Sequence, residues 1–404
     1  MSRILFANLS AVATCVSPRA DAVLERSAVL AVDGRIAAVG GEGALLGQVA
    51  FDERVDGRGG LLAPGFVDSH THAVFGRWRA REYALRARGV PYQEIARQGG
   101  GIHASVRDVR ALPEDALVER TRPRLADMLA LGTTPAEVKS GYGLDTEAEL
   151  KMLRAVQRLH AEGPLDLVPT FLGAHEVPGE YAGRRSEYVE RVVREMIPAV
   201  AAERLAVFCD VFMEPGVFTA ADARTILEAG IRHGLAPKLH ADELEPSGGA
   251  ELAAALGAAS ADHLGRISDA GIAALAAGAT VATLLPATLF FLGKTSYAPA
   301  RKLLDAGAVV ALATDFNPGT APSPSMPLVL TMACSQMGLE PLEALWAATA
   351  GGARALRLDD GRGTITVGAP ADLVLWDVDD VAEIAYRFGA PPIRGVWKRG
   401  RRVR

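Results

Sequence analysis

Short apolar runs alternate with amphipathic stretches through the middle of the chain. Residues 168–172, 207–212, 237–239 and 309–313 read as strands, and 280–285 (Thr-Val-Ala-Thr-Leu-Leu) as a further buried one. Between them, 146–160, 187–200, 220–233 and 249–256 place apolar residues at helical spacing. A β-α-β-α order predicts a parallel sheet flanked by helices. This many units favours a closed barrel over an open, doubly wound sheet. No Gly-x-Gly-x-x-Gly joins a strand to a helix, which argues against a dinucleotide site.

The two ends follow a different pattern. Residues 28–32, an Asp33-Gly34 turn and 35–39 predict a β-hairpin. Strand signals return at 363–365, 373–376 and 393–397, and Val403 could extend the last. Two β-rich ends around an α/β middle predict one discontinuous domain. The expected fold is therefore α/β: a (β/α)8 TIM-type barrel over 63–359, with a small β-sandwich domain formed by 1–62 and 360–404. Residues 271–293 carry no charge over 23 positions. Gly278 and Pro286 divide them into a helix end and a strand, so a membrane span is not expected.

Composition narrows the function. The 404 residues are 49% hydrophobic and 23% charged, with a net charge of −5, and no basic stripe suggests nucleic acid or an anionic membrane. Cys15, Cys209 and Cys334 lie far apart, so a metal site would use nitrogen and oxygen ligands. The N-terminal stretch lacks the features of a secretory signal, and a cytoplasmic location is expected.

The chemistry-bearing residues sit where apolar strands end. Of eight histidines, His70, His72, His175, His240 and His263 fall at such ends, and so does Asp315. In a parallel barrel these ends converge on one mouth. His70 and His72, two apart on extended backbone, face the same side. With His240 and Asp315 they would form a nitrogen- and oxygen-rich shell with room for a water, suited to Zn²⁺ or iron. Glu243 and His263 are the candidates to move protons.

The segments Leu62-Ala63-Pro64-Gly65-Phe66-Val67-Asp68-Ser69-His70-Thr71-His72 and Gly368-Ala369-Pro370-Ala371-Asp372-Leu373, with Asp315 after a strand, resemble the amidohydrolase superfamily. Gly99-Gly100-Gly101-Ile102, Glu137-Val138-Lys139-Ser140-Gly141-Tyr142-Gly143-Leu144, Phe171-Leu172-Gly173-Ala174-His175-Glu176-Val177-Pro178, His240-Ala241-Asp242-Glu243 and Thr314-Asp315-Phe316-Asn317-Pro318-Gly319-Thr320 resemble its branch that opens 4-imidazolone-5-propanoate to N-formimidoyl-L-glutamate. The resemblance implies one metal ion per subunit, Zn²⁺ or iron, on His70, His72, His240 and Asp315. It implies catalytic roles for Glu243, His263 and Asp315. It implies substrate contacts from Arg79, Tyr142, His175, Asn317, Gly319 and Thr320. A small anionic heterocyclic substrate and a homodimer are also implied. One stretch departs from the family pattern: Phe75-Gly76-Arg77-Trp78-Arg79 stands where Phe-Gly-Gly-Asp-Arg is usual.

Two other readings compete. A deaminase acting on a cyclic amidine or purine would use the same metal shell without a carboxylate clamp. A catalytically dead barrel serving as a scaffold would have lost ligands, whereas every position here is filled. Lys139 could be carboxylated to bridge two metals, but His240-x-x-Glu243 favours the one-metal branch, with Lys139 a polar barrel residue.

Overall fold

The computed structural model describes residues 2–90 and 92–404. Eight parallel strands form the central sheet: β1 (Phe66–Asp68), β2 (Thr133–Lys139), β3 (Asp166–Ala174), β4 (Phe208–Met213), β5 (Leu239–Ala241), β6 (Ser260–His263), β7 (Val281–Leu284) and β8 (Val310–Leu312). They pair in chain order, with Ala236–Pro237 as an additional short strand on β4. Helices such as Thr146–Glu162, Ala220–Arg232 and Asp269–Ala276 pack outside.

The sheet closes just past the ends of β1 and β8. Thr71 bridges Phe316 in parallel register. The Asp315 amide donates to the His70 carbonyl at 3.0 Å and the His72 amide to the Phe316 carbonyl at 2.9 Å. The Asp68 carboxylate accepts from the Thr314 amide at 3.0 Å and from its hydroxyl at 2.6 Å. Closure therefore sets His70, His72 and Asp315 side by side.

The terminal segments form a second, eight-stranded sheet. Arg3–Ala13 pairs antiparallel with Ser27–Val32 and parallel with Glu53–Pro64, which in turn pairs with Leu373–Trp376. The expected hairpin is present, with Ser27–Val32 and Arg35–Gly41 in antiparallel register. The expected sandwich takes the form of one hydrogen-bonded sheet with separate apolar clusters around Phe6 and Leu5. The 363–365 signal forms no strand.

The uncharged stretch divides as expected, into the end of a helix, β7 and the helix Pro286–Phe291. Among the described residues no helix is long and apolar enough to cross a membrane. The helix expected over 187–200 runs from Arg185 to Glu203 with a π turn at Val192–Met196. Pro198 follows that turn; it has no N–H to donate, and a wider register accommodates the lost bond.

Candidate active site

The barrel mouth gathers four ligand-type side chains. His70 Nε2 and His72 Nε2 lie 3.3 Å apart. Asp315 Oδ1 is 3.6 Å from the first and 3.5 Å from the second. The His240 ring centres 4.5 Å from that of His70, and the His263 ring 5.2 Å from that of His240. The outer nitrogens are oriented from below. His70 Nδ1 meets Asp262 Oδ2 at 2.6 Å. His240 Nδ1 lies 3.0 Å from Asp210 Oδ2, and, against burial, the charge of His240 and its contact help hold the Asp210 carboxyl well below its ordinary range. Thr288 donates to Asp315 Oδ2.

This arrangement fits a metal cation. His70, His72 and Asp315 bring one ligand atom each within 4.8 Å of one another, as do His70, His240 and His263. The other ring nitrogen of His240, Nε2, is buried without a hydrogen-bond partner. Burial and neighbouring positive groups hold His70, His72 and His263 well below the ordinary histidine range. Neutral imidazoles pointing lone pairs at one another and at a carboxylate oxygen repel unless a cation lies between them.

Beneath the histidines lies a buried ionic floor. The Lys139 ammonium contacts Asp210 at 2.7 Å, Glu137 at 3.0 Å and Asp262 at 3.5 Å. Lys238 donates to Glu137 at 2.7 Å and to the Ser69 carbonyl at 3.0 Å. Burial alone would lower the Lys139 pKa, but Asp210, Glu137 and Asp262 outweigh it and raise it. Lys139 thus keeps its charge among three buried carboxylates. Sequence reading did not single out Asp210, Asp262, Glu137 or Lys238. Their available signal was charge in the middle of apolar strands, as in Phe208-Cys209-Asp210-Val211-Phe212.

A cavity of about 610 Å³ opens above the cluster. His72, His240, His263, Glu243 and Asp315 line one part of it; Arg79, Tyr142, His175, Asn317 and Thr320 also contribute. Gly319 does not line this cavity. It faces an adjoining shallower pocket with Trp78 and Arg79. A Cβ on Gly319 would lie 2.4 Å from Arg79 Nη1, so its bareness makes room for the guanidinium. Arg79 also pairs with Glu82, through Nε at 3.0 Å and Nη2 at 2.8 Å. Pairing with a neighbour and facing the cavity are thus compatible.

Each cavity side chain is held by its own loop. Glu149, buried, accepts from the amides of Gly141, Gly143 and Leu144 and fixes the turn that carries Tyr142. His175 follows β3 directly, its Nδ1 3.1 Å from the Gly141 carbonyl, and burial pushes its pKa down to about 3. Asn317 Oδ1 accepts from the amides of Gly319 at 2.8 Å and Thr320 at 2.7 Å. The divergent 75–79 stretch has a packing explanation. Trp78 meets Phe75 edge-on at 4.8 Å and tilts on Phe316 at 5.8 Å. Buried Arg124 stacks 3.3 Å over Phe75 and donates to the Phe75 carbonyl at 2.8 Å and the Ala73 carbonyl at 3.1 Å. Arg124 thereby fixes the path from His72 to Arg79.

Two carboxyls at the mouth are shifted upward. Burial, then the charges of Asp315 and Glu214, push Glu243 up to about 8. Burial pushes Asp315 up to about 6 against the Thr288 hydrogen bond. Glu243 Oε2 stands 3.6 Å from His263 Nε2. A protonated carboxyl beside a neutral imidazole supplies both a proton donor and an acceptor near pH 7.

A parallel barrel with this cation-ready cluster and proton-transfer pair at its mouth defines a barrel hydrolase. The amidohydrolase family profile matches residues 61–403, and the chain belongs to that family, in its imidazolonepropionase branch. It is 48% identical to an imidazolonepropionase from a Geobacillus species over 385 residues, covering 94% of this chain and 91% of the relative. It is 50% identical to an imidazolonepropionase from Myxococcus xanthus over 371 residues, 91% of this chain and 88% of that protein. Among solved structures, an adenosine deaminase from Xanthomonas campestris with bound zinc shares the fold, with a TM-score of 0.73 at 20% identity, covering 99% of this chain and 92% of that one.

Proposed function

We propose that this chain hydrolyses the cyclic amide of 4-imidazolone-5-propanoate to N-formimidoyl-L-glutamate, the ring-opening step of histidine degradation. The observation that carries the reading is one cavity with a cation-ready His/Asp cluster and the Arg79 guanidinium in its wall. The substrate needs both, since it is a cyclic amide with a propionate side chain. The names of the relatives support the same reaction.

In this proposal His70, His72, His240 and Asp315 hold one ion per subunit, Zn²⁺ or iron. Such an ion supplies a Lewis acid and lowers the pKa of a water it binds. The chain's own groups do the rest. Arg79 clamps the propionate with charge-assisted hydrogen bonds, and Tyr142, His175, Asn317 and Thr320 orient the ring. Gly319 acts by leaving Arg79 its space. Neutral His263, with Asp315 beside the cluster, accepts the proton that water loses on adding to the ring carbonyl carbon. Protonated Glu243 delivers a proton to the ring nitrogen as the carbon–nitrogen bond breaks. The new carboxylate and the formimidoyl nitrogen account for both halves of the water.

The decisive assay mixes metal-loaded protein with freshly generated substrate and follows loss of the ring chromophore with appearance of N-formimidoyl-L-glutamate. No turnover above the metal-stripped control would reject the reading. Arg79→Ala separates it from a deaminase acting on an uncharged ring: KM for the anionic substrate should rise selectively. We further propose the division into a small domain (1–62 with 360–404) and a barrel (63–359), supported by the single sheet that joins both chain ends. A homodimer and a cytoplasmic setting complete the proposal; light scattering on the purified protein tests the dimer, and cell fractionation tests the setting.

A further inference from the structure

Arg79 is not the only guanidinium in the cavity wall. Arg86 lines the same cavity, and Lys294 adds a third cation. Arg79 caps the helix Ala80–Ala87 and Arg86 lies within it. Seven residues on a helix are nearly two whole turns, so both side chains leave from nearly the same face, about 10 Å apart along the axis. Both reach one loop. Arg79 Nη1 lies 2.4 Å from where a Cβ of Gly319 would be, and Arg86 Nη2 donates to the Gly319 carbonyl at 3.1 Å. The Arg86 guanidinium also sits over the Phe291 ring, 4.9 Å from its centre.

The charge balance makes a second cation useful. Glu82 engages the Nε–Nη2 edge of Arg79, the edge that suits a bidentate carboxylate, and offsets part of its charge. Ring opening also converts a monoanion into a dicarboxylate, because the ring carbonyl becomes a second carboxylate.

We propose that Arg86 is the second guanidinium of a two-arginine carboxylate site around Gly319. It helps to hold the substrate's propionate and gives the cavity affinity for short dicarboxylates, the product among them. This rests on the reaction proposed above. Such acids act as inhibitors competitive with the substrate.

The test compares metal-loaded wild type with Arg86→Met, Arg86→Lys and Arg86→Gln. For the methionine variant, KM for 4-imidazolone-5-propanoate should rise at least tenfold with kcat within threefold of wild type. Turnover of 4-imidazolone without the side chain should not change. Glutarate affinity, read by calorimetry, should weaken by a similar factor, while uncharged glutaramide binds neither protein. Lysine should restore part of both losses. Metal content and melting temperature serve as folding checks, and the glutamine variant replaces methionine if the latter does not fold. A KM within twofold of wild type overturns the proposal, and so does an equal loss on the substrate lacking the carboxylate. If wild type itself neither turns over the substrate nor binds glutarate, the reaction assignment fails first; normal wild-type turnover with an unaffected variant rejects only the role of Arg86.

Discussion

Replacing Gly319 with alanine probes the substrate end of the site with one added carbon. That Cβ would lie 2.4 Å from Arg79 Nη1 and 2.8 Å from Cζ, closer than real Cβ contacts come. The guanidinium must retreat by about 1 Å to reach ordinary contact; its pairing with Glu82, and the bond of the Arg79 main-chain amide to the Pro318 carbonyl, limit where it can go. The backbone of Gly319 needs no positive φ, so the substitution adds bulk without a strained conformation. A charge-assisted clamp on the propionate is worth about 1.5–3 kcal/mol, and a 1 Å misplacement can cost about 100-fold. Gly319→Ala should therefore lower kcat/KM by about 10- to 100-fold, mostly through KM, with melting temperature and metal content unchanged. The assay is initial-rate kinetics on 4-imidazolone-5-propanoate, with metal measured by emission spectrometry. A KM unchanged from wild type would show that Arg79 does not hold the carboxylate.

Other consequences can be checked alongside. His240→Ala should abolish turnover and bound metal together; a variant that kept full turnover without metal would refute the ligand assignment. Asp262→Asn, which alters the partner of His70 Nδ1, should weaken metal affinity about 10- to 100-fold in a chelator competition. Lys139→Met leaves buried carboxylates unpaired and should cost about 3–5 kcal/mol in urea unfolding, far more than an exposed lysine would. In the metal-free protein, Glu243 titrates near 8 against an ordinary value of 4.5. Between those values the unfolded chain has lost a proton that the folded chain keeps. This group therefore makes stability fall as pH rises, by up to about 1.4 kcal/mol per pH unit, and Glu243→Gln should remove that slope from urea midpoints measured between pH 5 and 8.

The alternation of strands and helices, and the histidines at strand ends, were legible in the sequence because both depend on local pattern and chain order. His70 and His72 were readable as a pair because two residues of extended backbone suffice to align them. The groups that orient them were not. Asp210, Asp262 and Glu137 are charges within strands, and Lys238 stands between two short ones; a charge there ordinarily faces solvent. Only closure of the barrel turns that face inward, and closure is a long-range event. Arg124 and Arg86 stayed hidden for a related reason. Arg124 acts on carbonyls about 50 residues away in sequence, and Arg86 meets Gly319 across more than 200. The unusual Trp78 was visible as a departure, but its contacts with Phe75 and Phe316 needed the fold.

The barrel seam has a consequence for folding as well as for chemistry. Thr314 donates to Asp68 across 246 positions of sequence, and the ligand pair on one side of that seam faces Asp315 on the other. An ion held there works as a removable staple, tying the first strand of the barrel to its last and closing a loop of most of the chain. Closing so long a loop is entropically slow to reward, so the metal-free barrel should part first along this line. Hydrogen exchange should read this directly: the amides of His72 and Asp315, which bond across the seam, should lose protection on chelation before those of β3 and β4.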